Sequence, residues 1–116
     1  MARIELFRHT DKWVGFEPGK TIFAEGDPGD FMYVIVEGEV EICSGGRVIE
    51  VAEAGSTLGE LALIDHSTRS ATAVARSAVR LVPINARQFQ GMVQETPFFA
   101  LQVMSIMAER LRRWRP

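Results

Sequence analysis

The 116-residue chain is poor in the residues that most enzymes and metal centres draw on. Cysteine occurs once, at Cys43, so no internal disulfide can form and a reducing, cytoplasmic setting is expected. Cys43 lies in a strand-like run, where a small apolar filler is the expected role. Histidine occurs twice, at His9 and His66, far apart and without His-x-His spacing. A tetrahedral metal site, a haem or a Cys–His nucleophile therefore has no ligand or base set to draw on. No metal, no cofactor and no enzymatic activity are expected. No apolar run approaches the ~18 residues of a membrane-spanning helix, and residues 1–8 lack the apolar segment of a secretory leader.

Net charge is small, −2, but unevenly spread. Residues 1–66 carry 13 acidic and 5 basic side chains, whereas residues 67–116 carry 2 and 8. The closing arginines, Arg110, Arg112, Arg113 and Arg115, complement the dipole at the end of a helix. No helix-turn-helix pattern follows them, so direct nucleic-acid binding is not expected. The composition is 47% hydrophobic and 24% charged, ordinary for a globular chain, and the length suits one domain over 1–116.

Between about residues 13 and 83, short β-branched and aromatic runs are punctuated by glycine turns, which predicts an antiparallel β-roll or jelly-roll-like barrel. The expected strands are Trp13–Phe16, Thr21–Ala24, Phe31–Glu37, Val40–Ser44, Arg47–Val51, Ala71–Ala75 and Val79–Pro83. Pro18-Gly19 and Asp27-Pro28-Gly29 are turn chemistry, and Gly45-Gly46 predicts a tight hairpin. Glu37, Glu39 and Glu41 alternate with Gly38, Val40 and Ile42, which marks one wet and one buried face. After Pro83 the period changes to helical. Asn85 is the expected N-cap of a helix over 85–95, and Pro97 opens a second over 97–114. The second helix has two apolar sets: Leu101, Met104, Ala108 and Leu111, and Phe99, Val103, Ile106 and Met107. A helix apolar on two sides packs on the barrel with one and on a partner with the other, unless both sets form one wide stripe on its own barrel. A twin subunit, in a short parallel coiled-coil-like contact over 98–114, is the simplest partner.

Residues 59–73 carry the chemistry. Gly59 precedes a short apolar helix start, Glu60 supplies a carboxylate, and a small polar loop leads to Arg69 and Ser70. A helix N-terminus and a planar guanidinium both suit phosphate oxygens. Glu60 would repel a phosphate, so its presence beside one makes sense if the ligand also donates a hydroxyl. Phosphate plus adjacent hydroxyl describes a ribose phosphate. The alternative, a plain Glu60–Arg69 ion pair closing a loop, adds little net stability and does not require the flanking small residues.

The stretch resembles the phosphate-binding cassette of the cyclic-nucleotide-binding domains of catabolite-activator-type regulators, protein kinase A regulatory subunits and cyclic-nucleotide-gated channels. The pattern Gly-Glu-x-Ala-Leu, loop, Arg-x-Ala-Thr is met by Gly59, Glu60, Ala62, Leu63, Arg69, Ala71 and Thr72. Upstream, Pro18-Gly19, residues 25–30, residues 32–35 and Gly38 also match, so the similarity covers about Leu6 to Arg113. The resemblance implies a mainly β fold with flanking helices: the β-roll, a short phosphate-binding helix and C-terminal helices. It implies that Glu60 accepts from the ribose 2′-hydroxyl, that Gly59 and Ala62 present backbone groups near the sugar and phosphate, and that Arg69, read as an exposed loop arginine, neutralises the phosphate. Ser70 adds a donor; Leu61 and Ala71 complete the ligand-binding set, with Leu61 facing the core or the pocket wall. It implies a base cap from the last helix or beyond, for which Trp114 and Arg115 are the candidates, although Trp114 could equally cover the barrel end.

The function expected from this is a stand-alone cyclic-nucleotide sensor that signals by moving its last helix. cAMP is favoured, and cGMP stays open because a hydroxyl such as that of Ser70 can reach the guanine 2-amino group and the resemblance places one in cGMP binders and in bacterial cAMP binders alike. Two alternatives stand beside it: an excised regulatory domain of a cAMP-responsive transcription factor or channel, and a degenerate, ligand-free interaction domain. Retention of Arg69 argues against degeneracy.

Overall fold

The computed structural model describes residues 3–114; Arg115, one of the two expected base caps, lies outside the described residues. Eight strands and three helices follow in the order β1 (Val14–Phe16), β2 (Thr21–Phe23), β3 (Phe31–Glu37), β4 (Val40–Ser44), β5 (Arg47–Ala52), β6 (Thr57–Leu58), α1 (Glu60–Asp65), β7 (Thr72–Ala75), β8 (Val79–Asn85), α2 (Ala86–Glu95) and α3 (Pro97–Arg113). The strands form two four-stranded antiparallel sheets, β1-β8-β3-β6 and β2-β7-β4-β5.

The expected strands are present within a residue or two, with two differences. β6 is only two residues long, too short to show a period, and the sequence reading had no strand there. β8 runs on through Pro83 to Asn85. β1 covers β8 only at Val79–Leu81, so Pro83 sits where β8 has no neighbour on that side, a position a strand proline tolerates. The β4–β5 hairpin turns on Gly45-Gly46, both at positive φ (59° and 79°), between the paired residues Ser44 and Arg47. Such a two-residue turn needs residues without a Cβ penalty in the left-handed region.

Alternation along β3 and β8 buries both faces of their sheet. Ile35, Val79 and Leu81 join Val40, Ile42, Ala52, Leu58, Ala71, Ala73 and Ala75 between the sheets. Met32, Val34, Val82 and Ile84 point the other way and pack with Ile4, Leu63, Phe99, Val103 and Ile106 beneath the helices. The helix α2 begins with a full capping box: Gln88 N donates to Asn85 Oδ1 and Asn85 N to Gln88 Oε1, both at 2.8 Å.

The two apolar sets of α3 separate as expected. Phe99, Val103 and Ile106 are buried and Met107 half-buried, while Leu101, Met104 and Leu111 are exposed along with Phe98. Phe99 anchors the helix, edge-on to Phe7 and Phe89 with ring centroids 6.4 and 5.7 Å apart. Phe99→Ala should therefore lower the unfolding free energy by about 3–5 kcal/mol. Leu111→Ala, on the outer face, should change it by less than about 0.5 kcal/mol. Urea denaturation of the two variants checks both values.

Candidate functional site

The sheet edges and α3 converge on the cassette. Gly59 ends β6 at φ 73°, and a Cβ built there would lie 2.1 Å from the Arg69 Nη1 nitrogen. Glycine is thus required both for the left-handed turn and for the guanidinium beside it. Gly29 has a similar role on the other side, since its Cβ would lie 2.2 Å from the Cβ of Ala62. Small residues let the 24–31 segment, α1 and Arg69 meet at one point.

Arg69 is not the exposed loop arginine that the sequence suggested; it is 5% exposed. Its Nη1 donates to Gly59 O at 3.1 Å and its Nη2 to Phe31 O at 2.6 Å. The guanidinium lies 4.2 Å from the Phe23 ring centroid, and Phe23 stacks on Tyr33. The local chain makes this possible: Gly26 N donates to Arg69 O and Arg69 N to Asp27 O, both at 2.8 Å, which pins the residue to the 25–28 turn. Burial pushes the guanidinium down from its usual value, against the opposing pull of Tyr33, Asp30, Asp27 and Glu60. Its Nε is buried without an acceptor. An anion placed there would supply one and offset the desolvation.

Glu60 is also buried, but its partner is not Arg69. Glu60 Oε1 accepts from the Thr57 hydroxyl and, at 2.8 Å, from Nη1 of Arg110. Arg110 is 4% exposed. It binds Glu50 through Nε (3.1 Å) and Nη2 (3.1 Å), and its Nη2 also reaches Thr57 O (2.7 Å) and Ser56 Oγ (3.2 Å). Arg113 reaches the same Glu50 Oε1 at 3.0 Å. The sequence reading took Arg110 only as one of the arginines complementing the dipole at the helix end; the structure buries it among acceptors instead. A legible signal existed: Phe99, Val103, Ile106 and Arg110 are spaced 4, 3, 4, so Arg110 continues the buried stripe.

Glu60, Arg69 and Arg110, with Gly59, Leu61, Ala62, Ser70, Ala71 and Trp114, line one small cavity. Its volume is about 30 Å³, room for about one water molecule. Among the described residues, the Trp114 indole Nε1 is buried without an acceptor, as is Arg69 Nε. The cavity adjoins an open vestibule of about 720 Å³ that shares Leu61, Ser70, Ala71 and Trp114 and adds Arg47, Val48, Ile49 and Arg113. Ser70 and Leu61 are exposed at this mouth, and Ala62 and Ala71 are buried behind it. A groove of comparable size, about 710 Å³, lies between the N-terminal segment, β8 and α2. It contains no buried charged group, so the chemistry lies at the cassette. Among the described residues, no group of three or more His, Cys, Asp or Glu side chains could hold a metal ion.

Comparison with known proteins agrees with the geometry. The family model for the cyclic nucleotide-binding domain matches residues 13–96. The chain belongs to this family. It is 32% identical over 105 residues to a CRP-like cAMP-activated global transcriptional regulator of Mycobacterium tuberculosis, covering 86% of this chain and 47% of that protein. Its fold matches the catabolite activator protein of Thermus thermophilus with a TM-score of 0.76 and 29% identity, over 87% of this chain and 51% of that one. The cAMP-bound form of the EAL enzyme Bd1971 matches with a TM-score of 0.65 and 32% identity, over 86% and 28%. The chain thus spans about half or less of these relatives. Within the family frame, α3 extends beyond the matched segment and contributes Arg110 and Trp114 to the cavity. Among the described residues no helix is long and apolar enough to cross a membrane.

Arg110→Ala should leave the buried Glu60 carboxylate without its cation and Glu50 with Arg113 alone. Removing one partner of such a pair costs about 3–5 kcal/mol, so a fall of that size in chemical denaturation is expected.

Proposed function

We propose that this domain is a cyclic-nucleotide sensor, with cAMP the favoured ligand, that reports occupancy through α3. The observation that carries the reading is the pairing of unlike groups in one cavity. Two residues that each carry a buried donor without an acceptor, Arg69 (Nε) and Trp114 (Nε1), line it together with Glu60. Buried donors of this kind ask for an acceptor. An anionic diester supplies acceptors to Arg69, and a neighbouring ribose hydroxyl supplies a donor to Glu60. Thr57 and Arg110 both take Oε1 of Glu60, which leaves Oε2 for the 2′-hydroxyl. The base then lies in the vestibule between Ser70, Val48, Ile49 and Trp114. Relatives named for cAMP and for cGMP both occur: the Mycobacterium tuberculosis regulator is cAMP-activated, and Bd1971 has cAMP-bound and cGMP-bound forms.

A cavity of about 30 Å³ is far below the ~300 Å³ or more of a small-molecule site. Ligand entry therefore moves Trp114 and the end of α3 outward, rather than drawing an open helix in over the base. A ligand shifts that equilibrium by binding the opened arrangement better. The outer face of α3, with Phe98, Leu101, Met104 and Leu111 exposed, is the surface on which a second copy or another protein would sense the move. The closed cavity also favours a second reading, a ligand-free interaction domain, and titration separates the two.

Calorimetry should detect cAMP binding that is tighter than cGMP binding. Glu60→Gln, which keeps shape but removes the charge, should weaken cAMP by roughly 10–100-fold. Arg69→Lys should weaken it by at least about tenfold, because an ammonium lacks the guanidinium fork. No heat of binding with either nucleotide would select the interaction-domain reading.

In a Trp13→Phe background, saturating cAMP should change Trp114 emission and alter amide exchange over 98–114. Tight binding with both signals flat would mean that α3 is not the output.

A further inference from the structure

Resting on the cyclic-nucleotide reading, we infer that Glu50 on β5 is a positioning residue that holds Arg110 side-on and so keeps one oxygen of Glu60 free for the ligand's ribose hydroxyl. The geometry points to this division of labour. A guanidinium has two edges able to meet a carboxylate in a bidentate way, the Nε–Nη2 side and the Nη1–Nη2 end. Glu50 takes the side edge, with Nε to Oε1 at 3.1 Å and Nη2 to Oε2 at 3.1 Å. Thr57 O and Ser56 Oγ take the rest of Nη2, at 2.7 and 3.2 Å. Only Nη1 is left to face Glu60; it donates to the Thr57 hydroxyl oxygen at 3.3 Å and, of the two Glu60 oxygens, to Oε1 only.

Charge completes the argument. Glu50, with its side chain 9% exposed, meets both Arg110 and Arg113. Replacing its carboxylate with an amide removes the charge that draws Arg110 towards β5, and an amide N–H₂ cannot accept from Nη2. Glu60 is then the nearest remaining carboxylate. Arg110 turns its end edge onto it, both Glu60 oxygens become occupied, and the 2′-hydroxyl loses its acceptor. Glu50 touches no atom of the proposed ligand; it acts through Arg110. Buried pairs add little net stability, so two carboxylates around one arginine are better explained by orientation than by folding.

The test compares cAMP with 2′-deoxy-cAMP by calorimetry on the whole chain, for the native protein, Glu50→Gln and Glu50→Asp. The native protein should prefer cAMP by about tenfold or more, the worth of one hydrogen bond to a charged acceptor. Glu50→Gln should bring cAMP affinity down towards that of the deoxy analogue while deoxy affinity changes by less than about threefold. That unchanged deoxy binding also reports a folded site. Glu50→Asp, which keeps the charge, should retain most of the preference. The inference is overturned if Glu50→Gln keeps the native preference, weakens both ligands equally or binds neither, or if Glu50→Asp loses the preference as fully as Glu50→Gln. If the native protein binds neither nucleotide, the cyclic-nucleotide reading itself falls. If it binds both equally, Glu60 is not the ribose acceptor and the role given to Glu50 falls with it.

Discussion

The burial of Arg110 is the constraint around which the site is arranged. A guanidinium removed from water needs acceptors for its N–H groups, because each one left unmatched costs desolvation energy without return. The chain supplies them from three places: Glu50 on β5, Ser56 and Thr57 where β6 begins, and Glu60 at the start of α1. The two-residue strand β6 therefore does more than close a sheet. It brings Thr57 to a point where its hydroxyl donates to Glu60 and its carbonyl accepts from Arg110. The last turn of α3 is tied to the cassette by these contacts, some 16 Å along the helix from the Phe99 anchor.

Arg69 makes an instructive contrast. It is as buried as Arg110, yet its acceptors are two backbone carbonyls and an aromatic face, and one donor is left over. Among the described residues no carboxylate forms an ion pair with it, and burial shifts its guanidinium down from the usual value against the pull of Tyr33, Asp30, Asp27 and Glu60. One arginine is neutralised by the protein and the other is held in reserve. The same cavity therefore holds two buried groups of opposite charge, Arg69 and Glu60, that are not paired with each other. This asymmetry gives the cassette its chemistry, and it arises from which acceptors the fold brings to each guanidinium.

The helix α3 joins that chemistry to the surface. Its inner stripe runs from the apolar cluster at Phe99, Val103 and Ile106 into the polar cavity at Arg110, and Trp114 packs against the core between the sheets. Its outer stripe exposes Leu101, Met104 and Leu111.

Much of this was legible in the sequence, because local period encodes local structure. Alternation set the strands, Gly45-Gly46 the hairpin, Asn85 the cap, and the 3–4 spacing the two faces of α3. The cassette residues Gly59, Glu60, Ala62, Arg69, Ser70 and Ala71 do come together, as their order along the chain suggested. Arg69 as a buried residue, Arg110 as the partner of Glu60, and Glu50 as the partner of both Arg110 and Arg113 were not legible. Those pairings span 50 to 63 residues, and no period or turn signal measures such a separation. Arg110 continues the 4, 3, 4 stripe, yet a hydropathy pattern counts an arginine as solvent-facing. Only the closure of β5, β6 and α1 around it supplies the acceptors that make its burial tolerable. Sequence patterns record what a residue prefers beside its neighbours; which distant charge satisfies it is decided when the sheets and helices pack.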